Sequence, residues 1–400
     1  MGLNKVSRTV IQSSVASVAS NTEVLAATES NKYITPSNLN QYSGKVPNCD
    51  DGSIDVGGLS FNALSKMMKN SINSGTFSSK TIVSTQSVVA AIVAGDYGGG
   101  VLAPNGDIHF APYQAPIGQK ISASGVVSTY SLVYTTTGAY WGGVLAPNGD
   151  IHFIPAAAVG QKISASGVIS TYSLVYTAAD AYFGGVLAPN GDIHFVPFTA
   201  TVGQKVSAAG VVSTYSLVYT VSGAYVGGVL APNGDIHFVP FYATVGQKVS
   251  ATGVVSTYSL AYTTVPAYMG GVLAPNGDIH FVPGTSSVGQ KVSSAGVVST
   301  YSLVYTTGNA YRGGVLAPNG DIHFVPYSAA VGQKVSSAGV VSTYSLVYTA
   351  SIYNAVGGIL TPNGDIHFIP YGAPVIQKIS TMSAIPFSLA MCCSAFLNKF

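Results

Sequence analysis

From residue 81 onward, apolar and polar positions alternate in short runs, and each run ends at Gly, Pro, Asn or Ser. Four runs recur in fixed order. Run a reads GGVLAP, run b DIHFVP, run c GQKVS and run d VVSTYSLVYT, with Asn-Gly between a and b and a Ser-Ala-Gly-like turn between c and d. Period-two alternation, β-branched and aromatic enrichment and turn residues at the boundaries predict strands. Gly and Pro recur too often for helices. Every unit carries one Asp-Ile-His, and successive histidines stand 43, 42, 43, 43, 43 and 44 residues apart. A period of that size fits propeller blades or two-helix solenoids, and the strand signal selects the blades.

The expected architecture is all-β: a seven-bladed β-propeller of four-stranded antiparallel blades over residues 81–400, with a small, partly helical N-terminal region at 1–80 as a tether. Within 1–80, helices are expected at 9–28 and 60–72. The paired glycines suit an innermost strand, where backbones crowd the axis. Asn-Gly predicts a two-residue type I′ turn. That register sets Ala103 opposite Ile108 and Val101 opposite Phe110, with Leu102 and His109 together on the other face. Residues 82–87 read IVSTQS and copy the start of run d. The segment 82–91 is therefore expected to complete the last blade, whose own copy is degenerate and contains Pro386. Closure by the C-terminal copy is the alternative.

Composition narrows the partners. Charged residues make up only 8% and the formal net charge is +2, so nothing points to nucleic acid or an anionic bilayer. The apolar tail is broken by Pro386, which argues against membrane insertion. Cys49, Cys392 and Cys393 give neither a disulfide framework nor zinc spacing. The N-terminus lacks a secretory core, and Val6 stands where myristoylation wants Ser or Thr.

The repeated polar residues offer two readings. Asp107 and His109 point to one face of their strand, as do Asp150 and His152, Asp192 and His194, Asp235 and His237, Asp278 and His280, Asp321 and His323, and Asp365 and His367. Seven imidazoles around a central channel would make a metal or anion ring, with metal-binding or enzymatic function. The preferred reading is a structural hydrogen bond repeated once per blade, because no Cys or second His lies at ligand spacing. The repeated Lys, from Lys120 to Lys378, balances the Asp as an ion pair at the blade edge. No nucleophile elbow occurs. Apart from the repeated Asp, the acids within residues 81–400 are Asp96 and Asp180 alone. Neither catalysis nor a cofactor is expected.

Where copies differ, two places change. One precedes the Gly pair, at Trp141, Phe183, Val226, Met269, Arg312 and Val356; the other follows the Pro that ends run b. Strand direction puts both on the side of the b–c and d–a loops. The binding set expected there is Tyr113, Trp141, Phe183, Phe198, Phe241, Tyr242, Met269, Arg312, Tyr327 and Tyr371, residue types enriched at interfaces. Drift at permissive loop positions is the competing explanation. The partner would be a protein or a glycan on a host or assembly surface, or other subunits of a larger assembly. A multivalent lectin with tyrosines between blades is the alternative.

The hairpin GGVLAPNGDIHFVP resembles repeats of the kelch-like and WD-repeat propeller class over residues 81–392, which implies the fold and no particular activity. NTEVLAATESNKYITPSNLNQY is similar to a short segment common in bacteriophage tail-fibre and virion proteins. That likeness implies an attachment region followed by a displayed head, on a virion or extracellular surface; a cytoplasmic location is the alternative.

Overall fold

The computed structural model describes residues 82–87, 95–349 and 355–380. Those residues form strands, turns and loops only. The helices expected at 9–28 and 60–72, the three cysteines and the degenerate copy around Pro386 lie outside them. Blade 1 consists of β2 (Tyr97–Leu102), β3 (Ile108–Pro112), β4 (Ile117–Ile121) and β5 (Val127–Ser131). The strands β6 to β25 repeat that order five times between Tyr140 and Ser345, and β26 (Ala355–Leu360), β27 (Asp365–Pro370) and β28 (Val375–Ser380) belong to blade 7. Each blade is a four-stranded antiparallel sheet with strands in chain order. The first strand of each blade packs against the first strand of the next, so it is innermost. In blade 7 the outer position belongs to β1 (Ile82–Ser87), which runs antiparallel to β28 with Ile82 opposite Ser380.

The first hairpin differs from the two-residue turn expected. The Gly106 N–H donates to the Ala103 carbonyl at 2.9 Å, and the Ala103 N–H donates to the Asp107 carbonyl at 2.7 Å. Gly106 has φ +85°, whereas among the described residues the non-glycine ones at positive φ are Asp180 and Asn309. Asn105 is therefore not left-handed, and the loop is a type I turn ending in a glycine bulge. Pro104 is the reason: its ring holds φ near −65°, the first central position of a type I turn. The register moves accordingly. Leu102 faces Ile108, Val101 faces His109 and Gly100 faces Phe110. Val101, not Leu102, shares the histidine's face.

The core lies between blades. Val101 and Ala111 of blade 1 pack against Tyr140, Ile151, Phe153 and Ile163 of blade 2. Tyr140 and Phe153 are fully buried. Each such ring contributes about 2–3 kcal/mol by area removed from water. The same layer recurs between blades 2 and 3 around Tyr182 and Phe195, and between blades 3 and 4 around Tyr225 and Phe238. A buried glutamine staples each of the six junctions from blade 1 to blade 7. Gln161 Oε1 accepts the N–H of Val133 at 3.1 Å and of Tyr134 at 2.8 Å from the preceding blade. Gln204 does the same for Val175 and Tyr176 at 3.0 and 2.8 Å.

Around the axis the innermost strands bulge. Tyr97 pairs with Pro112, but the next aligned pair is Gly100 with Phe110, so two residues of β2 face one of β3. A bulge bends the strand and re-aims the side chain it carries. Close approach then demands glycine. A Cβ on Gly270 would sit 2.7 Å from the Cα of Gly313 in the next blade, and Gly270 has φ +132°.

Candidate functional site

Each blade holds a polar cluster on the second, third and fourth strands. In blade 4, Asn233 Oδ1 accepts the Asp235 N–H at 3.1 Å, which orients the carboxylate. Asp235 then pairs with Lys248 at 2.6 Å and accepts the Ala251 N–H at 3.3 Å. The carboxylate thus ties the hairpin to the c–d turn. Burial alone would raise its pKa, but the Lys248 hydrogen bond and charge and the Ala251 N–H outweigh it and hold it below the usual value. His237 Nδ1 lies 3.1 Å from the Tyr258 hydroxyl. Tyr258 can reach it because Gly246 stands between: a Cβ there would fall 2.2 Å from the tyrosine ring. Burial, with Lys248 adding, pushes His237 down to about 4, although Asp235 opposes the shift. The imidazole is neutral at pH 7.

The cluster repeats closely. Lys–Asp distances in the seven blades run from 2.6 to 2.9 Å. His–Tyr distances in six blades run from 3.1 to 3.3 Å. Blade 7 departs from the rest. There Gln86 opposes Ile376, at the positions where blade 1 sets Tyr130 opposite Gly118. Ile376 is fully buried and takes up the volume that the tyrosine ring occupies elsewhere. His367 consequently has no hydroxyl to meet, and its Nδ1 is buried with no hydrogen-bond partner.

These histidines do not ring the channel. They sit on second strands, and the axial cavity is lined by innermost strands only. Among the described residues no three of His, Cys, Asp and Glu gather closely enough to hold a metal ion. The cluster's carboxylates are ion-paired, its lysines are their partners, and its histidines are held neutral. Its chemistry is that of a clasp across one blade.

The residues that break the repeat gather on the opposite side. The Gly138 N–H donates to the Tyr113 carbonyl at 2.7 Å, and the Asp180 N–H to the Ala156 carbonyl at 2.9 Å. The d–a loop of one blade therefore touches the b–c loop of the blade before it. At the centre is a cavity of about 240 Å³, lined by the glycines of all seven inner strands and by Trp141, Phe183, Val226, Met269, Arg312 and Val356. Blade 1 supplies Gly98 at the equivalent position. Trp141 stacks between Tyr113 at 3.9 Å and Phe183 at 4.5 Å. Phe183, Phe198, Phe241 and Tyr242 continue the chain of rings at 5.7, 6.5 and 4.6 Å. The Arg312 guanidinium lies 3.9 Å from the Tyr327 ring and 5.8 Å from Tyr371. The Tyr113 hydroxyl is raised mainly by burial; Asp180 adds to the shift and Arg312 opposes it, so both charges act at this mouth.

This arrangement qualifies the sequence expectation. The ten residues share one side, but Trp141, Met269 and Tyr327 are buried, and of the ten Tyr242 alone is exposed, at 43%. Most form a packed annulus. A size rule emerges from pairs of positions. Trp141 shares its blade with Ala156, Met269 with Gly284, Val226 with Phe241, Val356 with Tyr371 and Gly98 with Tyr113. Large at one position goes with small at the other. In blade 5 the reason is direct, since a Cβ on Gly284 would meet Met269 Cγ at 2.7 Å; Gly98 is held small from the next blade, where a Cβ would meet Trp141 Cε3 at 2.9 Å. The blades carrying Phe183 with Phe198 and Arg312 with Tyr327 are exceptions, with two large residues each. Single-position comparison missed Gly98, Ala156 and Gly284, although the pairing was open to reading. It also missed the glutamine staples, whose signal was a Gln present in every copy.

Among solved structures, the chain is similar to a streptogramin B lyase, at TM-score 0.66 and 18% identity over 75% of this chain and 97% of that one. It is also similar to virginiamycin B lyase from Staphylococcus aureus, at TM-score 0.66 and 16% identity over 75% and 99%. A third likeness is to an auxiliary nutrient binding protein from Bacteroides ovatus, at TM-score 0.50 and 12% identity over 75% and 76%. Extracellular domains from Bacteroides thetaiotaomicron match as well, one at TM-score 0.60 and 8% identity over 75% of this chain and 43% of that one. At such identities these likenesses speak to the propeller fold. No protein-family model matches the chain, and no curated protein does.

Proposed function

We propose that this chain is a non-enzymatic binding propeller, which recognises a protein or glycan partner through the face of the b–c and d–a loops. One observation carries the reading: outside the closing blade's clasp, what breaks the sevenfold pattern converges on that face and its axial mouth. Among the described residues, the charged ones outside the seven Lys–Asp pairs are Asp96, Asp180 and Arg312, and all three belong to it. Recognition is commonly built on loops held by a rigid scaffold. The opposite face repeats Asn-Gly and Ser-Ala-Gly turns and offers a partner nothing distinctive.

The test compares faces. Phe241→Ala with Tyr242→Ala alters the variable side, and Val254→Ser alters the uniform side at a residue 62% exposed. Loss of adhesion to cells or to the assembly in the first variant, with adhesion kept in the second, supports the reading. Equal adhesion in both refutes it.

The protein works at an exposed surface on this reading, and 1–80 joins it to a larger assembly. The extracellular domains among the similar structures support the location. Display on a virion rests on the N-terminal resemblance, within 1–80 and outside the described residues; detection of the chain in purified particles tests it. A lectin is the second reading. A polar recess of about 120 Å³ between blades 3 and 4, with Asn190, His194, Lys205, Ser250 and Thr252 in its lining, favours it. Related residues recur between other blades, so glycan titration would then give a stoichiometry well above one.

A further inference from the structure

The axial cavity is more specific than the face around it. Its walls are glycine backbone and apolar side chains, with Arg312 as the one charged residue in the lining. The Arg312 Cζ lies over the Tyr327 ring, 3.9 Å from its centroid. Guanidinium N–H donors lie in the plane, at the edge, where they match carboxylate or phosphate oxygens. The ring contact limits the positions open to the guanidinium and so reduces the ordering cost of binding. The Tyr113 ring stacks on Trp141 at 3.9 Å, beside the same mouth. Trp141 in turn stacks on Phe183 at 4.5 Å, with Met269 and Val226 in the same lining.

A cavity of about 240 Å³ lies below the usual range for drug-sized ligands, so its occupant is small. One cationic group and an aromatic wall select the occupant's chemistry. We propose that the axial cavity binds a small organic anion, with its charged group on Arg312 and a compact apolar or aromatic body against Trp141 and Phe183. The proposal deepens the reading of this face as the recognition surface and rests on it. The anion can be a carboxylate or a phosphate ester, and the experiment separates the two.

Trp141 is the only tryptophan in the chain and lines the cavity, so its fluorescence reports occupancy without a label. The full chain is titrated with phenylacetate, with phenyl phosphate and with the uncharged phenylacetamide. A saturable change with one of the anions, at least tenfold tighter than with the amide, is expected, because charge-assisted hydrogen bonds carry the difference. Whichever anion binds tighter identifies the class. Arg312→Met should weaken the anion at least tenfold, and Arg312→Lys, which keeps the charge, should retain part of the affinity. Circular dichroism checks that each variant is folded; if Arg312→Met is not, Arg312→Lys and the amide carry the comparison. Equal affinity for amide and anion, unchanged affinity in Arg312→Met, or no response to either anion through the millimolar range overturns the proposal. Adhesion of the same preparations is measured in parallel. Adhesion kept without an anion response removes this inference and leaves the proposed function standing.

Discussion

Acidification from pH 7.5 to 5 should unfold this propeller, and the histidine clasps give the size of the effect. His109, His152, His194, His237, His280 and His323 are each pushed down to about 4, mainly by burial. In the unfolded chain a histidine titrates near 6.5. A lowered pKa means that the folded state binds fewer protons than the unfolded state between those values. Stability from these groups is complete above about pH 7 and is lost as the pH falls from about 6.5 to 4. At pH 5 each histidine forfeits about 2 kcal/mol relative to neutrality, and six together forfeit roughly 10 kcal/mol. Whole-domain stabilities run to about 5–15 kcal/mol, so the sum rivals the total. The repeated carboxylates act in a separate window. Asp107, Asp150, Asp192, Asp235, Asp278 and Asp365 lie below their ordinary value, and their contribution is lost only as the pH falls below about 4. The assay is urea unfolding at pH 7.5, 6 and 5, followed by circular dichroism and Trp141 fluorescence. The midpoint should drop at each step, and more steeply between 6 and 5. A midpoint that stays put from pH 7.5 to 5 would refute the reasoning, because six buried neutral imidazoles cannot be indifferent to protonation.

Three further outcomes follow from single contacts. Gly246→Ala should destabilise by about 1–3 kcal/mol, since its Cβ would lie 2.2 Å from Tyr258 and expel the ring, and urea unfolding reads the loss. Blade 7 already carries the compensated arrangement, so Gly246→Ile with Tyr258→Gln should cost less than the two single changes added together; additivity in that cycle would show that the two positions are not coupled. Gln204→Leu removes the acceptor for the N–H groups of Val175 and Tyr176 and should cost about 2–4 kcal/mol, with faster amide hydrogen exchange at those two residues as the local signature.

The fold was legible because four strand-length runs, their turn residues and a period near 43 all agree on a blade. Where the reading slipped, the cause was local and identifiable. Asn-Gly suits both a two-residue and a three-residue loop, and Pro104, one position earlier, decides between them through its fixed φ. The clasp was legible as one histidine per blade, but its partner was not. Tyr130 and its equivalents lie two strands away, and the glycine that admits them reads as ordinary strand sequence until a blade appears without both. Blade 7 is that case: Ile376 and Gln86 replace the pair together, as steric exclusion requires.

The same logic bears on the variable face. Drift at unconstrained loop positions would scatter large and small residues independently around the axis. The contact of Met269 with Gly284 shows that those two positions share one volume, and Trp141 with Ala156 follows the same size pattern. Packing therefore constrains the summed size in most blades, and variation there is not free. Packing does not dictate that one blade should carry the single tryptophan, another an arginine over a tyrosine ring, and a third the exposed Tyr242. Valine with phenylalanine would fill any blade, as Val226 with Phe241 fills blade 4. The identities beyond size are the part of the pattern that folding leaves undetermined, and they meet at one mouth.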